Sequence, residues 1–300
     1  MPQERFVSAP GCRIHVLDWA GSGTPYVLLH GIGDNPHVFS ELAARLAPAA
    51  RVVAYARRGH GRSDAPAAGP YTLDAYLDDL GAVLDALGIE RAHLIGWSMG
   101  GNEITAFAGR SPERTASVIY LDSGYDWSDP AFLPAFGEIL AEVAPSGTAL
   151  TSFEAYRAAM QDIWFGDVAW TPLVDEYLRE TVRPAPDGSI AATVPDGPTF
   201  DALFASLATP PRDYTAVRAT ALALYAPRYF AAPAAAGRRA RLDRFEDEVM
   251  REFRPRSQAR IRRELSGVEI QTCPGTLHMT IGIDKVDDLA ERIRRWSKSW

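Results

Sequence analysis

The 300-residue chain lacks three features that would each assign it to a specialised class of protein. It contains only two cysteines, Cys12 and Cys273, which are too few and too far apart for a disulfide scaffold or a cysteine metal site. No apolar run approaches the roughly 18 residues that a membrane-spanning helix requires. The formal net charge is −7, so the basic face that is typical of nucleic-acid-binding proteins is not expected.

The N-terminal segment also lacks the apolar stretch that secretory signal peptides contain. We therefore expect a cytoplasmic protein with no membrane or nucleic-acid partner. What is present is an ordinary globular composition, with 47% hydrophobic and 23% charged residues. A chain of this length and composition is able to form a large hydrophobic core.

Short apolar runs alternate with amphipathic segments in the first part of the chain. The runs that predict buried strands there are residues 13–19, 26–30, 51–56, 92–96 and 117–121. Segments with helical spacing of apolar residues separate most of them. The same alternation resumes with a predicted strand over 220–225, a charged helix over 238–265, a strand over 268–272 and a helix over 284–296. This pattern is typical of a parallel sheet covered by helices.

Residues 124–217 interrupt that alternation. They hold 13 of the chain's 30 aromatic residues, together with prolines and short helical fragments. We expect a helical, aromatic-rich cap at this position, although a loosely organised part of the core would have a similar composition. The predicted organisation is an α/β core formed by residues 1–123 and 218–300, with the cap, residues 124–217, inserted between them.

Residues 96–100 read Gly-Trp-Ser-Met-Gly and fit the pattern Gly-x-Ser-x-Gly between a predicted strand and a predicted helix. A serine at such a turn is exposed above the helix N-terminus, where backbone N–H groups are free. A serine hydroxyl needs this exposure and a nearby base to act as a nucleophile. We predict that Ser98 is a nucleophile, the alternative being a glycine-rich turn with an incidental serine.

Two further positions fit the same chemistry. Residues 30–33, His-Gly-Ile-Gly, follow an early predicted strand, and there the N–H group of Ile32 is expected to join that of Met99 in an oxyanion hole. Of the six histidines, only His278 lies in a loop after the last predicted strand. Catalytic groups gather at that edge of a parallel sheet, and we therefore predict His278 as the general base.

Together with residues 58–63 and 274–278, these motifs resemble the α/β-hydrolase family in their order and spacing. The resemblance covers nearly the whole chain except the insertion. It implies a doubly wound, mostly parallel α/β sheet with a helical cap, a Ser-acid-His triad and no cofactor or metal. Members of this fold that use an aspartate nucleophile are set aside, because the nucleophile position is Ser98.

The acid of the triad departs from the usual pattern of that family. Its usual position follows the strand that ends at Tyr225, but residues 226–230 contain no carboxylate, and the next one is Asp243. We predict instead that Asp122 is the acid, because it directly follows an earlier strand whose end faces the same edge, and some family members use that position. Asp126 is a weaker candidate, and Asp122 has an alternative role in capping the start of the insertion.

The sequence thus predicts a serine hydrolase that cleaves a carboxylic ester or a related acyl bond of an apolar or aromatic small molecule. Lactonase, C–C hydrolase, perhydrolase, thioesterase, acyltransferase and hydroxynitrile-lyase reactions use the same groups and remain alternatives. A non-catalytic ligand receptor built on the same fold is a further alternative. The patterns predict no oligomeric state.

Overall fold

The computed structural model describes residues 1–67, 69–193 and 197–298. Within these residues, eight strands form one sheet and two more form a separate hairpin. The strands are β1 (Gln3–Ala9), β2 (Cys12–Trp19), β3 (Tyr26–Leu29), β4 (Val52–Tyr55), β5 (Ala92–Trp97), β6 (Thr115–Leu121), β7 (Val182–Pro184), β8 (Ile190–Ala192), β9 (Thr220–Tyr225) and β10 (Glu269–Thr272). The sheet order is β1-β2-β4-β3-β5-β6-β9-β10, and only the β1–β2 and β2–β4 pairs are antiparallel.

Helices follow most of the strands. They are α1 (Ser40–Leu46), α2 (Leu73–Ala86), α3 (Gly100–Arg110), α4 (Phe132–Val143), α5 (Phe153–Met160), α6 (Pro172–Arg179), α7 (Pro198–Ala205), α8 (Ala236–Arg244), α9 (Arg251–Glu264) and α10 (Val286–Ser297). A π-helical segment, Phe245–Met250, joins α8 to α9. None of the helices in the described part of the chain has the length and apolarity needed to cross a membrane. The predicted α/β class with a mostly parallel sheet is confirmed.

The central strands are buried along their whole length, as continuous apolar runs between two helical layers should be. All four residues of β3 and all four of β4 are buried. Every predicted strand is present, with ends that differ by at most two residues. Strand β1 was not predicted, because this edge strand consists largely of exposed polar residues and has only Val7 buried.

The segment between β6 and β9 contains α4, α5, α6, α7 and the β7–β8 hairpin among its described residues. Its aromatic side chains pack against the long helix that follows β9. The ring of Phe132 stacks on that of Phe253 with centroids 3.9 Å apart. The short hairpin was not predicted, and the division of the chain into a core and a cap stays a prediction.

Two buried ion pairs hold the loop that follows β4. Arg57 donates from Nε to Oε1 of Glu103 in α3 over 2.7 Å, and Arg58 donates from Nε to Oδ2 of Asp79 in α2 over 2.7 Å. All four side chains are at most 2% exposed. Arg58 also donates to the carbonyl oxygen of Pro10, between β1 and β2. The pair formed by Arg58 and Asp79 therefore links the loop to α2 and to the edge of the sheet.

Asp79→Asn should lower the free energy of unfolding by about 3–5 kcal/mol, because it leaves the buried Arg58 guanidinium without its counter-ion. Urea denaturation followed by circular dichroism measures this change. The control is Asp78→Asn, since Asp78 is half-exposed and pairs with Arg110 at the surface. A surface pair contributes about 0–1 kcal/mol, so equal losses in the two variants would contradict the structural role of the buried pair.

Candidate active site

A tight turn between β5 and α3 carries Ser98. The serine has a φ of +53°, in the left-handed region that non-glycine residues rarely adopt. A Cβ atom on Gly96 would lie 2.5 Å from the carbonyl oxygen of Gly100, and one on Gly100 would lie 2.3 Å from that of Leu29. Only glycine fits at these two positions, which explains the spacing Gly-x-Ser-x-Gly in physical terms.

The loop after β3 lies directly against this turn. A Cβ atom on Gly31 would be 3.1 Å from the Cβ atom of Ser98, and Ile32 lines the same cavity as the serine. Met99 is the residue that precedes α3, and its side chain is buried. The structure therefore brings both predicted oxyanion-hole residues to the serine, while the function of their N–H groups stays a prediction.

His30 has a structural role, because it holds the loop after β3 in place. Its Nε2 atom accepts a hydrogen bond from the backbone N–H of Arg57 over 3.0 Å, and Arg57 donates from Nη2 to the His30 carbonyl oxygen over 2.7 Å. Burial, with a contribution from the Arg57 charge, holds the pKa of His30 well below its usual value. Burial also lowers the pKa of His60 to about 3. Both imidazoles are neutral parts of the scaffold.

The structure brings Asp122 and His278 together. Oδ2 of Asp122 lies 2.7 Å from Nδ1 of His278, and both side chains are buried. The other carboxylate oxygen, Oδ1, accepts hydrogen bonds from the Tyr125 hydroxyl over 2.7 Å and from the backbone N–H of Ala226 over 3.1 Å. Donors on two sides thus fix the orientation of the carboxylate toward His278.

His278 is held on several sides as well. Its backbone N–H donates to the carbonyl oxygen of Arg228 over 3.0 Å, and its own carbonyl oxygen accepts from Nε1 of Trp97 over 2.9 Å. The imidazole stacks on the ring of Tyr229 with centroids 3.9 Å apart and an interplanar angle of 12°. Ser98, His278 and Tyr229 all line one cavity.

The other carboxylates considered from the sequence lie elsewhere. Asp243 accepts from Arg228 over 2.7 Å, and both side chains are 45% exposed. Asp126 is bonded to Ser128 over 2.6 Å and to Arg260 over 2.5 Å. Asp122 is thus the one of these three that the structure brings to His278. Its role as the acid of a triad stays a prediction.

Sequence reasoning missed Tyr125 and Tyr229 as parts of this site. Tyr125 follows Asp122 by three residues, but a tyrosine at that spacing has no recognisable pattern. Tyr229 lies in the turn where the usual acid is absent, and its ring occupies the space beside the imidazole instead. Burial raises the pKa of the Tyr229 hydroxyl well above its ordinary value, so this group is neutral and able to donate a hydrogen bond.

The cavity has a volume of about 520 Å³. Much of its wall comes from the segment between β6 and β9, including Phe136, Trp164 and Phe204. Its polar lining includes Asp34 and Tyr177, whose side chains interact electrostatically with each other. The cavity is therefore suited to an apolar ligand that carries a limited number of polar groups.

One group in the described part of the chain has the side chains to hold a metal ion. Ligand atoms of Glu4, His37 and Glu176 lie within 4.8 Å of one another. Arg62 donates to Glu4 over 2.7 Å, so a cation already neutralises this group. None of the three residues is among those that line the cavity with Ser98, and we assign the group no part in the site.

Comparison with known proteins identifies relatives of this chain. A model of the alpha/beta hydrolase fold matches residues 24–172, which include Ser98 and Asp122 but not His278. The chain is 36% identical over 122 residues to a 2-hydroxymuconate semialdehyde hydrolase of Pseudomonas sp. (strain CF600), a match that covers 40% of this chain and 43% of that protein. It is 32% identical over 161 residues to a non-heme chloroperoxidase of Streptomyces lividans, covering 51% of this chain and 52% of that protein.

Solved structures share the fold over nearly the full length. The crystal structure of E-2-(acetamidomethylene)succinate hydrolase has a TM-score of 0.75 and 20% sequence identity, and the match covers 99% of this chain and 100% of that one. The matches to curated relatives are shorter and span between 30% and 52% of the lengths of the proteins compared. These comparisons confirm the α/β-hydrolase resemblance.

Gly100→Ala should destabilise the protein by about 1–3 kcal/mol or more, because the added Cβ atom would overlap the carbonyl oxygen of Leu29. The measurement is the free energy of unfolding from urea titration. Gly81→Ala is the matched control, since Gly81 lies inside α2 with open space around its Cβ position. The control should be stabilised by about 0.5–1 kcal/mol, and a tolerated Gly100→Ala would argue against the tight turn.

Proposed function

We propose that the chain, which has the α/β-hydrolase fold, is a serine hydrolase that cleaves a carboxylic ester or a related acyl bond. The observation that carries the proposal is the 2.7 Å contact between Asp122 and His278 beside the strained turn at Ser98. Ser98 and His278 also line one largely apolar cavity. The hydrolase names of several relatives support the same reaction class.

In this proposal, Oγ of Ser98 attacks the substrate carbonyl carbon while His278 takes the hydroxyl proton. The N–H groups of Ile32 and Met99 stabilise the negative charge that develops on the carbonyl oxygen. His278 then gives its proton to the leaving group, and an acyl-enzyme forms on Ser98. Water, deprotonated by His278, attacks this ester, releases the acid and restores the serine.

The role proposed for Asp122 is to hold the imidazole and to stabilise it when it carries a proton. Oδ2 of Asp122 accepts from Nδ1–H, which leaves Nε2 as the nitrogen that exchanges a proton with Ser98. Tyr125 and the N–H of Ala226 keep the carboxylate in this orientation. They are positioning groups, because they act through Asp122.

We further propose that residues 124–217 form a cap that supplies the apolar wall of the cavity. Phe136 and Phe204 stack with centroids 6.2 Å apart, and Trp164 lines the same space. Burial of apolar surface against such side chains stabilises a bound acyl group by about 25 cal/mol per Å². The substrate expected on this basis is a small molecule with an apolar or aromatic acyl group.

The match to a non-heme chloroperoxidase favours one second candidate. Hydrogen peroxide would replace water in the attack on the acyl-enzyme and release a peracid instead of an acid. The same Ser98, His278 and Asp122 would serve. Measuring acid and peracid release at a fixed peroxide concentration separates this reaction from hydrolysis.

Ser98→Ala should abolish both ester turnover and covalent labelling by a fluorophosphonate, because the attacking oxygen is removed with little change in volume. Intact-mass spectrometry measures the labelling, and circular dichroism checks the fold. Ser111→Ala is the control, since Ser111 lies at the other end of α3 and its side chain makes no capping hydrogen bond. Labelling that persists in Ser98→Ala would remove Ser98 from the mechanism.

Asp122→Asn should lower kcat by about 10³- to 10⁴-fold, because the amide favours the wrong tautomer of His278. Steady-state kinetics on a p-nitrophenyl ester measures the loss. The matched control, Asp243→Asn, removes a carboxylate that pairs with Arg228 at the surface and should leave kcat within about twofold. The opposite ranking of the two variants would assign the acid to Asp243.

A further inference from the structure

Asp34 is a buried carboxyl group for which the proposed reaction has no use. It follows the loop that carries Ile32, is 3% exposed and lines the cavity with Ser98. Its Oδ1 atom accepts from the backbone N–H of Asn35 over 3.2 Å, and the neutral Tyr177 hydroxyl also favours the ionised form of the carboxyl group. These contacts fix its position but leave its charge uncompensated.

No cation of the described residues is available to Asp34. The Arg57 guanidinium lowers the pKa of Asp34, but its own hydrogen bonds go to Glu103 and to the carbonyl oxygens of His30 and Gly31. The described residues that line the cavity include no lysine and no arginine. Burial raises the pKa of Asp34 to about 7, an effect that the Tyr177 hydroxyl and the N–H of Asn35 offset only in part.

An ionised carboxyl group that is buried without a paired cation lowers the free energy of unfolding. Such groups with a shifted pKa in a cavity are candidates for a functional role. A cationic ligand group would remove the cost by supplying the missing counter-ion. Two tyrosines next to Asp34, Tyr156 and Tyr177, also line the cavity, and tyrosine rings attract ammonium ions. An anionic ligand group would instead be repelled.

We propose that Asp34 binds a protonated amine of the substrate, so that the cavity selects an aminoacyl or amine-bearing ester over its neutral and anionic analogues. That the bound amine belongs to a substrate rests on the proposed hydrolase function. The structural neighbour described as a hydrolase of a succinate acts, by that name, on a molecule with carboxylate groups. The carboxyl group of Asp34, when ionised, instead favours a positively charged ligand group in this cavity.

The first experiment measures binding without turnover, in the Ser98→Ala chain. Isothermal titration calorimetry compares n-hexylammonium with hexan-1-ol, which has the same chain length and no charge. At pH 8, adding Asp34→Asn should weaken hexylammonium binding by about 10- to 100-fold and leave hexanol binding unchanged. The amide has nearly the shape of the carboxyl group and still accepts from the backbone N–H of Asn35, so the fold of the loop is retained. Asp175→Asn, which removes a carboxylate that bonds to Arg179 at the surface of α6, should change neither affinity.

The pH dependence gives a readout that a structural role would not produce. Hexylammonium affinity should rise between pH 6 and pH 8 as Asp34 ionises, and this rise should vanish in Asp34→Asn. The charged and titratable groups that act on Asp34 are Tyr177 of α6, Tyr156 of α5 and Arg57. Burial raises the pKa of both tyrosines, and Arg57 is a guanidinium, so none of these three changes charge in this interval. Asp201 and His278 also line the cavity, and both are retained in Asp34→Asn, so the comparison with that variant isolates the contribution of Asp34.

The second experiment measures turnover by the otherwise unmodified chain, with p-nitrophenyl 6-aminohexanoate and its isostere p-nitrophenyl heptanoate. The aminohexanoate should have the higher kcat/KM at pH 8, and Asp34→Asn should remove the preference while heptanoate turnover persists. If heptanoate is turned over but the affinity for hexylammonium does not depend on Asp34, the amine site is overturned. The proposed hydrolase function would still hold in that case. Binding that depends on Asp34 without turnover of either ester would support the amine site and overturn the hydrolase function.

Discussion

Backbone segments from β3, β5 and α3 meet at the Ser98 turn at distances that exclude any Cβ atom. Leu29 pairs with Gly96 in the sheet, and its carbonyl oxygen lies where a side chain on Gly100 would begin. A Cβ atom on Gly101 would lie 2.7 Å from Oγ of Ser123, the residue after Asp122. The start of α3 therefore touches both the strand that leads to the Ile32 loop and the strand end that carries Asp122. Because these contacts leave no room for an added Cβ atom, the relative positions of the proposed nucleophile, oxyanion hole and acid follow from one packing arrangement.

The turn after β9 contributes to the site even though it holds no carboxylate. The N–H of Ala226 donates to Asp122, and the carbonyl oxygen of Arg228 accepts from the backbone of His278. The ring of Tyr229 then covers one face of the imidazole. With Asp122 at the end of β6, the ends of two adjacent strands, β6 and β9, thus contact the same histidine, His278. The parallel register of β6 and β9 makes this possible, because their carboxyl ends lie side by side.

The sequence was informative where the physics is local. The glycines around Ser98 indicate close backbone contacts, and continuous apolar runs indicate buried parallel strands. The absence of a carboxylate after Tyr225 favours Asp122 as the partner of His278. It was uninformative where the outcome depends on tertiary packing. The edge strand β1 gains its order from pairing with β2, and the hydrogen bond from Tyr125 to Asp122 depends on how the insertion leaves the sheet. The burial of Asp34 has no sequence signature, because the residue follows a glycine-rich loop that would be exposed in isolation.

Asp34 and Asp122 illustrate how environment separates the roles of two buried carboxyl groups in one site. Oδ1 of Asp122 accepts two hydrogen bonds and Oδ2 contacts the imidazole of His278, whereas Asp34 accepts from one backbone N–H and forms no ion pair within the described residues. An acid whose pKa rises on folding, here from 3.8 to about 7, binds its proton more tightly in the folded state. The folded state therefore loses stability as pH rises through this interval, and the full cost is present above about pH 7.

Neutral donors cannot remove the free-energy cost of ionised Asp34, but a bound cation can. The apolar wall of the cavity strengthens the effect, because it keeps water from screening the charge. The same enclosure that favours an acyl chain thus makes the choice of ligand charge depend on the ionisable groups that line the cavity, and Asp34 is a buried carboxyl group among them.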